Sequence, residues 1–229
     1  MMKHLYIVFV LMMFLSGCKQ QNDGIQKEEN QTVVSETKKD EPRQEAEEQL
    51  TTQSAIPFLF EYEKNNKERF VRIITDYGNI DIELFTETPY HRANFIFLAK
   101  QGYFDGSVFH RVVENFVIQG GNSDSWDISR KRRKIGQYLL PPDTKKGFKH
   151  HRGILSMPSS DIDNPYQFAS PYEFFIVVQK PGAYHLDGNY TAFGKVIAGM
   201  DVADKINKVA VDERHWPTKD IKMKVEIIK

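Results

Sequence analysis

Short apolar segments separated by turn residues, between residues 70 and 228, constrain the fold of this chain most strongly. In one of them Ile80, Ile82 and Leu84 alternate with charged residues, which is the two-residue period of a half-buried strand. Further strand candidates are 70–75, 108–113, 116–119, 153–157, 174–178, 191–196 and 221–228. So many short strands predict a mainly β fold, an antiparallel sheet closed or nearly closed into a barrel.

Two helices are predicted among these strands. Thr88-Pro89 is a good helix start because proline suits the first helical position, and Gly102 is placed to end that helix. A second helix is predicted over 200–209, where Val202 and Ile206 have helical spacing. Two helices suit the two open ends of a barrel.

The N-terminal residues predict a targeting segment. An apolar run over 5–15 follows Lys3 and is too short to span a membrane. The run leads into Leu15-Ser16-Gly17-Cys18, which resembles the bacterial lipobox. We therefore predict a lipoprotein signal peptide over 1–17 and a lipid on Cys18, the only cysteine. The protein would then lie in the cell envelope, outside the cytoplasm, anchored to a bacterial membrane; an ordinary signal peptide with a chance cysteine is the alternative.

The next segment is predicted to be a tether. Residues 19–56 contain no aromatic residue and carry five basic and nine acidic side chains. So little apolar surface does not offset the entropy of ordering, so 18–56 is interpreted as a disordered, lipid-anchored tether. A short amphipathic helix over 41–53 is the alternative. The folded domain is predicted to span 57–229.

Charge is informative only locally. The 31 basic and 31 acidic residues cancel, so no nucleic-acid partner is expected. The stretch 123–152 nevertheless has nine basic and three acidic residues, including five consecutive cations over 130–134. We interpret this stretch as a solvated loop, with lipid phosphates or an anionic polysaccharide as alternative partners.

Several chemistries lack their motifs. No serine lies in a G-x-S-x-G setting, and a thiol enzyme is excluded if Cys18 carries a lipid. His150 and His151 are adjacent and have no H-E-x-x-H partner, so we expect no metal. Phosphate-cradling glycine loops are absent as well, and we expect no cofactor.

One run of residues carries the functional prediction. Over 109–122 the sequence is FHRVVENFVIQGGN, in which Arg111 and Val113 share one face of a strand and two glycines permit a close approach of the backbone. This run resembles the signature of the cyclophilins, the barrel-forming peptidyl-prolyl cis-trans isomerases. The resemblance covers most of 70–229, through the segments 88–95, 153–157, 174–176, 186–188 and 193–196. It implies an eight-stranded antiparallel barrel capped by two α-helices, with a groove for Xaa-Pro segments on its outer face.

The resemblance also implies roles for individual residues. Arg111 matches the catalytic arginine, and Gln119 matches a glutamine that hydrogen-bonds near the substrate backbone. The pocket-lining positions are Phe116, Val117, Phe175 and Leu186. A guanidinium is suited to this reaction because it is always charged and can hydrogen-bond the twisted amide without any proton transfer. Taken singly, the apolar residues could be plain core, Arg111 could pair with Glu114 or Glu173, and His110 could be structural.

Four departures from the family pattern fall in the groove. Glu173 replaces a glutamine and could hold Arg111 in an ion pair or orient it. Tyr190 replaces a histidine, His185 replaces a tryptophan, and Pro158-Ser159 replace Ala-Asn. We therefore expect a monomeric isomerase that assists the folding of extracytoplasmic proteins. The alternative is a binding or chaperone module for proline segments, of the same fold but with little turnover.

Overall fold

The computed structural model describes residues 49–159 and 164–229, which belong to one compact unit over 45–229. The predicted signal peptide, Cys18 and most of the predicted tether lie outside the described residues. Within the described part of the chain, no helix is both long and apolar enough to cross a membrane.

The described residues form ten strands and four α-helices. The helices are α1 (Thr52–Asn65), α2 (Pro89–Lys100), α3 (Trp126–Ile135) and α4 (Met200–Asn207). The strands are β1 (Leu50–Thr51), β2 (Phe70–Thr75), β3 (Gly78–Leu84), β4 (Val108–Val113), β5 (Val117–Asn122), β6 (Gly136–Gln137), β7 (Ile154–Met157), β8 (Phe174–Val177), β9 (Thr191–Ala198) and β10 (Met223–Ile228).

Eight of these strands form one curled sheet. Its order is β10-β2-β3-β9-β7-β8-β5-β4, and every neighbouring pair is antiparallel. The two edge strands of the sheet, β4 and β10, approach each other. An isolated bridge joins Val108 of β4 to Lys222, which directly precedes β10. The predicted eight-stranded antiparallel architecture is confirmed. β1 and β6 form a separate, parallel two-stranded pair.

The two faces of the sheet pack into separate hydrophobic regions. Along β8, Phe174 and Ile176 join one region, whereas Phe175 and Val177 join the other, as the two-residue period of a strand requires. We call the first region the inner core; it includes buried residues of α2 and α4. The second, the outer cluster, has as its buried members Val117, Ile154, Phe175, Val177, Ala183, Leu186 and Ala192.

The two predicted helices are present and contribute to the inner core. α2 has Pro89 at its start and places Phe95 against Phe104, Phe174 and Phe193, at ring centroid distances of 4.8 to 5.8 Å. α4 buries Val202, Ala203 and Ile206 along one side.

α1 was not predicted, and it moves the start of the folded domain. A reciprocal capping box between Thr51 and Ser54 begins this helix, and Pro57 lies inside it. Its Ala55 and Leu59 are fully buried, and Glu63 forms an ion pair with the buried Arg92 of α2 at 2.5 Å. The predicted boundary at residue 57 is therefore wrong, because β1 and the first turn of α1 already belong to the folded unit.

α3 was not predicted either. The consecutive cations over 130–134 form the second half of a helix, where we had predicted a loop. The Ser125 hydroxyl caps its start by accepting from the Ile128 backbone N–H, and Ile128 is buried. Cations in a last turn interact favourably with the negative end of the helix dipole, which offsets part of their mutual repulsion.

Candidate active site

A cavity of about 550 Å³ opens on the outer face of the sheet, a size typical of sites for small ligands. It brings together nearly all the residues predicted for the groove. Its lining consists of Arg111, Phe116, Val117, Gln119, Pro158, Ser159, Ser170, Glu173, Phe175, Leu186 and Tyr190. The predicted residue that is not part of the lining is His185, and Ser170 is a lining residue that the sequence analysis missed.

The outer cluster forms the apolar floor of this cavity. Val117, Phe175 and Leu186 are buried, and the Tyr190 ring stands edge-on to Phe175 at 5.7 Å. Phe116 is half-buried at one side. His185 is exposed and stacks on the Phe116 ring at 5.3 Å, so it supports that ring from outside the cavity.

A bulge in β4 turns Arg111 towards the cavity. Phe109 pairs with Gly120 and Arg111 pairs with Gln119, which leaves His110 as an extra residue between them. Residues two apart on a regular strand share one face, yet Phe109 joins the inner core and Arg111 lines the outer cavity. The bulge therefore places a charged side chain directly across from Gln119.

The Arg111 guanidinium has no bonded partner within the part of the chain that the structure describes. It forms no hydrogen bond or ion pair there, although the side chain is only partly exposed. The ion pairs considered with Glu114 and Glu173 are absent between these described residues. Its donors are thus not engaged by any described residue and can serve a bound segment.

Glu173 lies in the cavity wall and is bonded to other groups. Its carboxylate accepts from Gln119 Nε2 at 3.0 Å and from Asn122 Nδ2 at 3.1 Å. His110 Nε2 lies 3.5 Å away and an Arg132 nitrogen 3.9 Å away. Burial would raise the pKa of Glu173, but these hydrogen bonds and charges outweigh it and hold the pKa below its ordinary value. The hypothesis that Glu173 restrains Arg111 is therefore wrong for this structure.

The opposite wall is built from backbone and small side chains. The Ser170 N–H donates to the Pro158 carbonyl at 2.8 Å, and the Ser159 hydroxyl accepts from Asn164 Nδ2 at 3.1 Å. Pro158 and Ser159 thus line the cavity, as predicted. Neither has the amide side chain that the family pattern has at this place. No sequence signal pointed to Ser170, because it reaches the cavity through a loop that carries no motif.

A buried polar network supports the floor from behind. His150 Nδ1 lies 2.9 Å from Asp187 Oδ1, and His150 Nε2 lies 3.1 Å from the Ser156 hydroxyl. That hydroxyl donates to the Thr191 carbonyl at 2.8 Å. The His150 ring stacks over Phe175 at 6.2 Å. Burial lowers the pKa of His150 even though Asp187 opposes the shift.

The order serine, histidine, aspartate in this network is that of a hydrolase triad, but its position is different. Ser156 is fully buried, so no acyl group can reach its oxygen. The network therefore fixes the Phe175 ring. Among the described residues, no group of three His, Cys, Asp or Glu side chains could hold a metal ion.

The cavity suits a ligand with an apolar ring next to an amide. The outer cluster can hold a pyrrolidine ring, and Arg111 and Gln119 offer hydrogen bonds beside it. Rotation about an Xaa-Pro bond is opposed by amide resonance, with a barrier of roughly 20 kcal/mol. A charged donor that bonds the twisted amide favours the state that has lost resonance, and no proton needs to move.

Comparisons with known proteins agree with this geometry. A family profile described as "Cyclophilin type peptidyl-prolyl cis-trans isomerase/CLD" matches residues 70–227. "Peptidyl-prolyl cis-trans isomerase-like 2" of Rhizopus delemar is 41% identical over 167 residues, which are 72% of this chain and 30% of that protein. The chain thus spans less than a third of that relative. A "peptidyl-prolyl cis-trans isomerase" of Acinetobacter baylyi is 36% identical over 143 residues, 61% of this chain and 72% of that protein.

The solved structures agree as well. A Cryptosporidium parvum cyclophilin-type peptidyl-prolyl cis-trans isomerase superposes with a TM-score of 0.59 and 31% identity, covering 71% of this chain and 98% of that one. A second structure of that protein, in the presence of the dipeptide Ala-Pro, has the same TM-score and identity and covers 70% and 99%.

Proposed function

Because the chain belongs to the cyclophilin-type peptidyl-prolyl cis-trans isomerase family, we propose that its outer groove isomerises Xaa-Pro bonds in proteins that fold outside the cytoplasm. The observation that carries this proposal is the Arg111 guanidinium, which has no bonded partner among the described residues and borders the apolar floor. Such a donor is available to substrate without first breaking a contact of its own.

The roles in the groove follow from chemistry. The floor formed by Val117, Phe175 and Leu186 holds the proline ring, while Arg111 bonds the amide as it twists. Gln119 orients the substrate backbone beside it. A ten-thousandfold acceleration requires about 5.5 kcal/mol of extra stabilisation in the transition state. One charged donor, together with a pocket that fixes the ring, is of the right order to supply it.

The test is the substitution Arg111→Ala in residues 45–229. We expect kcat/KM for an Xaa-Pro peptide to fall about 100- to 1,000-fold, as for the loss of one preorganised donor. The control is Arg214→Ala, which removes an exposed arginine that is not part of the cavity lining and should leave the rate unchanged. An unchanged rate in Arg111→Ala, with a native circular dichroism spectrum, would refute the proposal.

One observation favours a second candidate, a proline-segment binding module with little turnover. The Gln119 amide already donates one of its two N–H hydrogens to Glu173, so part of its donor capacity is taken before substrate binds. Titration with an Xaa-Pro peptide, together with a measurement of its cis-trans exchange rate, separates the two. Binding without acceleration supports the module, and acceleration supports the enzyme.

The proposed location rests on the N-terminal sequence. The apolar run over 5–15 and Leu15-Ser16-Gly17-Cys18 support cleavage before Cys18 and a lipid on that cysteine. The lipid would attach the isomerase to a bacterial membrane, and its clients would be folding proteins in the envelope. Mass spectrometry of the mature N-terminus tests this, and Cys18→Ser should release the protein from the membrane fraction. A lipid-free Cys18 in the mature protein would contradict it.

A further inference from the structure

Four of the five cations of α3 divide into two groups by position on the helix. On the side turned to the protein, Lys131 Nζ donates to the Gly102 and Asp105 carbonyls, each at 2.7 Å. Arg132 lies over the Tyr172 ring at 4.6 Å and reaches towards Glu173. These two cations therefore contact groups outside α3, whereas Arg130 pairs with Asp127 of the same helix at 2.9 Å.

The opposite side of α3 is exposed and combines an aromatic ring with cations. Trp126, Arg130 and Arg133 are spaced by four and three residues, which places them on one helix face. The two guanidinium carbons lie 5.1 and 5.8 Å from the centre of the Trp126 ring. Trp126 is 66% exposed, the second-highest exposure among the large hydrophobic residues described. We call these three residues the outer α3 face.

Helix stability alone does not account for this face. Cations in the last turn interact favourably with the helix dipole, and this accounts for the position of Arg133. Trp126, however, is the first residue of the helix and exposes most of a large ring to water, with only the two guanidinium groups over it. An indole ring flanked by arginines is the combination expected where a protein meets a lipid headgroup layer.

The position of α3 relative to the chain entry adds a second argument. β1 pairs in parallel with β6, with Leu50 opposite Gly136, directly after the end of α3. The chain that leads from Cys18 therefore joins the folded unit beside the C-terminal end of α3. The membrane anchor predicted on Cys18 would therefore be connected to the folded unit on the side that carries the cationic helix.

We propose that the outer α3 face docks on anionic lipid headgroups and orients the folded unit on the membrane surface. The cations would bind the phosphates, and the Trp126 ring would enter the interface between headgroups and acyl chains. This proposal rests on the proposed function in one respect, because the lipid anchor is what would bring the folded unit to a membrane. It does not involve the residues that line the groove.

The test measures binding of residues 45–229 to vesicles, since this unit has its own core and begins its first helix with its own cap. We expect binding to phosphatidylglycerol vesicles at low salt and little binding to phosphatidylcholine vesicles. Arg130→Glu with Arg133→Glu should weaken the binding at least about 20-fold, because each cation near the surface contributes about five-fold. Trp126→Ala, with no change in charge, should weaken it as well and should abolish the blue shift of tryptophan emission.

The matched control is Lys208→Glu with Lys219→Glu, which makes the same change of net charge at exposed positions outside α3. We expect binding to change less than about three-fold. Equal weakening by the two double variants, or equal binding to both kinds of vesicle, would overturn the proposal. So would release of the protein by a soluble anionic polysaccharide at a concentration where inorganic phosphate has no effect, since this would identify the polysaccharide as the ligand.

Failure of docking and failure of the proposed isomerase function are distinguishable. The outer α3 variants should isomerise an Xaa-Pro peptide at the normal rate, which also shows that they are folded. Arg111→Ala should lose turnover and still bind phosphatidylglycerol vesicles. Loss of isomerisation in the outer α3 variants would contradict the separation of the two surfaces.

Discussion

The inner core and the outer cluster are made by the same strands, yet they differ in what covers them. α2 and α4 pack on the inner core, and Phe174 is fully buried there among Phe95, Phe104 and Phe109. The neighbouring Phe175 belongs to the outer cluster and borders an open cavity. The comparison teaches that one sheet can serve stability with one face and binding with the other, because successive side chains point to opposite faces.

The largest effects on stability and peptide binding should come from alanine substitutions at two adjacent residues, one on each face of the sheet. Phe174→Ala should lower the free energy of unfolding by about 3 to 5 kcal/mol, because it leaves a dry cavity in the inner core. Phe175→Ala should cost only about 1 to 3 kcal/mol, since water can enter the space it leaves, but it should weaken peptide binding strongly. Urea unfolding and peptide titration measure the two quantities. Equal losses of stability at both positions would break the comparison.

Two buried histidines, one packed against each region, test the comparison between the inner core and the outer cluster further. His91 packs against Phe193 of the inner core, and neither of its ring nitrogens has a hydrogen-bond partner among the residues that the structure describes. Burial lowers its pKa to about 4. The unfolded chain binds a proton at this residue below about pH 6.5, whereas the folded protein does not until about pH 4. The free energy of unfolding should therefore fall by up to about 3 kcal/mol as the pH drops across this range.

His91→Leu should remove that part of the pH dependence and cost little at pH 7. The contrasting substitution is His150→Leu, which should cost stability already at pH 7 because it leaves Asp187 and Ser156 without their partner. Urea unfolding at several pH values between 4 and 7 checks both. An unchanged slope in His91→Leu would show that His91 is protonated in the folded protein.

The smallest effect is expected at Glu173. Because Arg111 is not bonded to Glu173, Glu173→Gln should leave Arg111 as it is and change kcat/KM by less than about three-fold. The peptide exchange assay measures this, with thermal unfolding as the control for folding. An enzyme ten times faster would mean that the carboxylate restrains catalysis in solution, which the contacts do not indicate.

Much of the fold was predictable from the sequence, because alternating apolar residues and the turn residues between them mark most strands of the sheet locally. The strands 70–75 and 108–113 and the start of α2 at Pro89 agree with the structure residue for residue. Their apolar periods and turn residues are local signals, and the resemblance to the cyclophilins supplied their order in the sheet. Most predicted groove residues line one cavity for the same reason.

The helices that were missed depend on long-range contacts. α1 contains an internal proline, and it is held by Arg92 and by the ring of Phe97, which packs against Phe58 and Tyr62. None of these contacts is visible within the helix's own sequence. α3 had local signals, a cap at Ser125 and an Asp127–Arg130 pair, but the run of cations favoured a loop.

The partner of Glu173 was unpredictable for another reason. Sequence placed a carboxylate near Arg111, but it did not show the bulge at His110 that turns His110 itself towards Glu173. The direction of the His110 and Arg111 side chains thus depended on how β4 pairs with β5, and no residue-type rule records that.

The same bulge decides which face of β4 carries the Arg111 side chain. Counting along β4, Phe109 and Arg111 would share a face if His110 were paired in the ladder. Inserting one residue between Gln119 and Gly120 would give His110 a partner and turn the guanidinium in among the phenylalanines, although no residue of the groove had been replaced. Gaining a single codon there is therefore more consequential than almost any replacement of one amino acid by another in either strand.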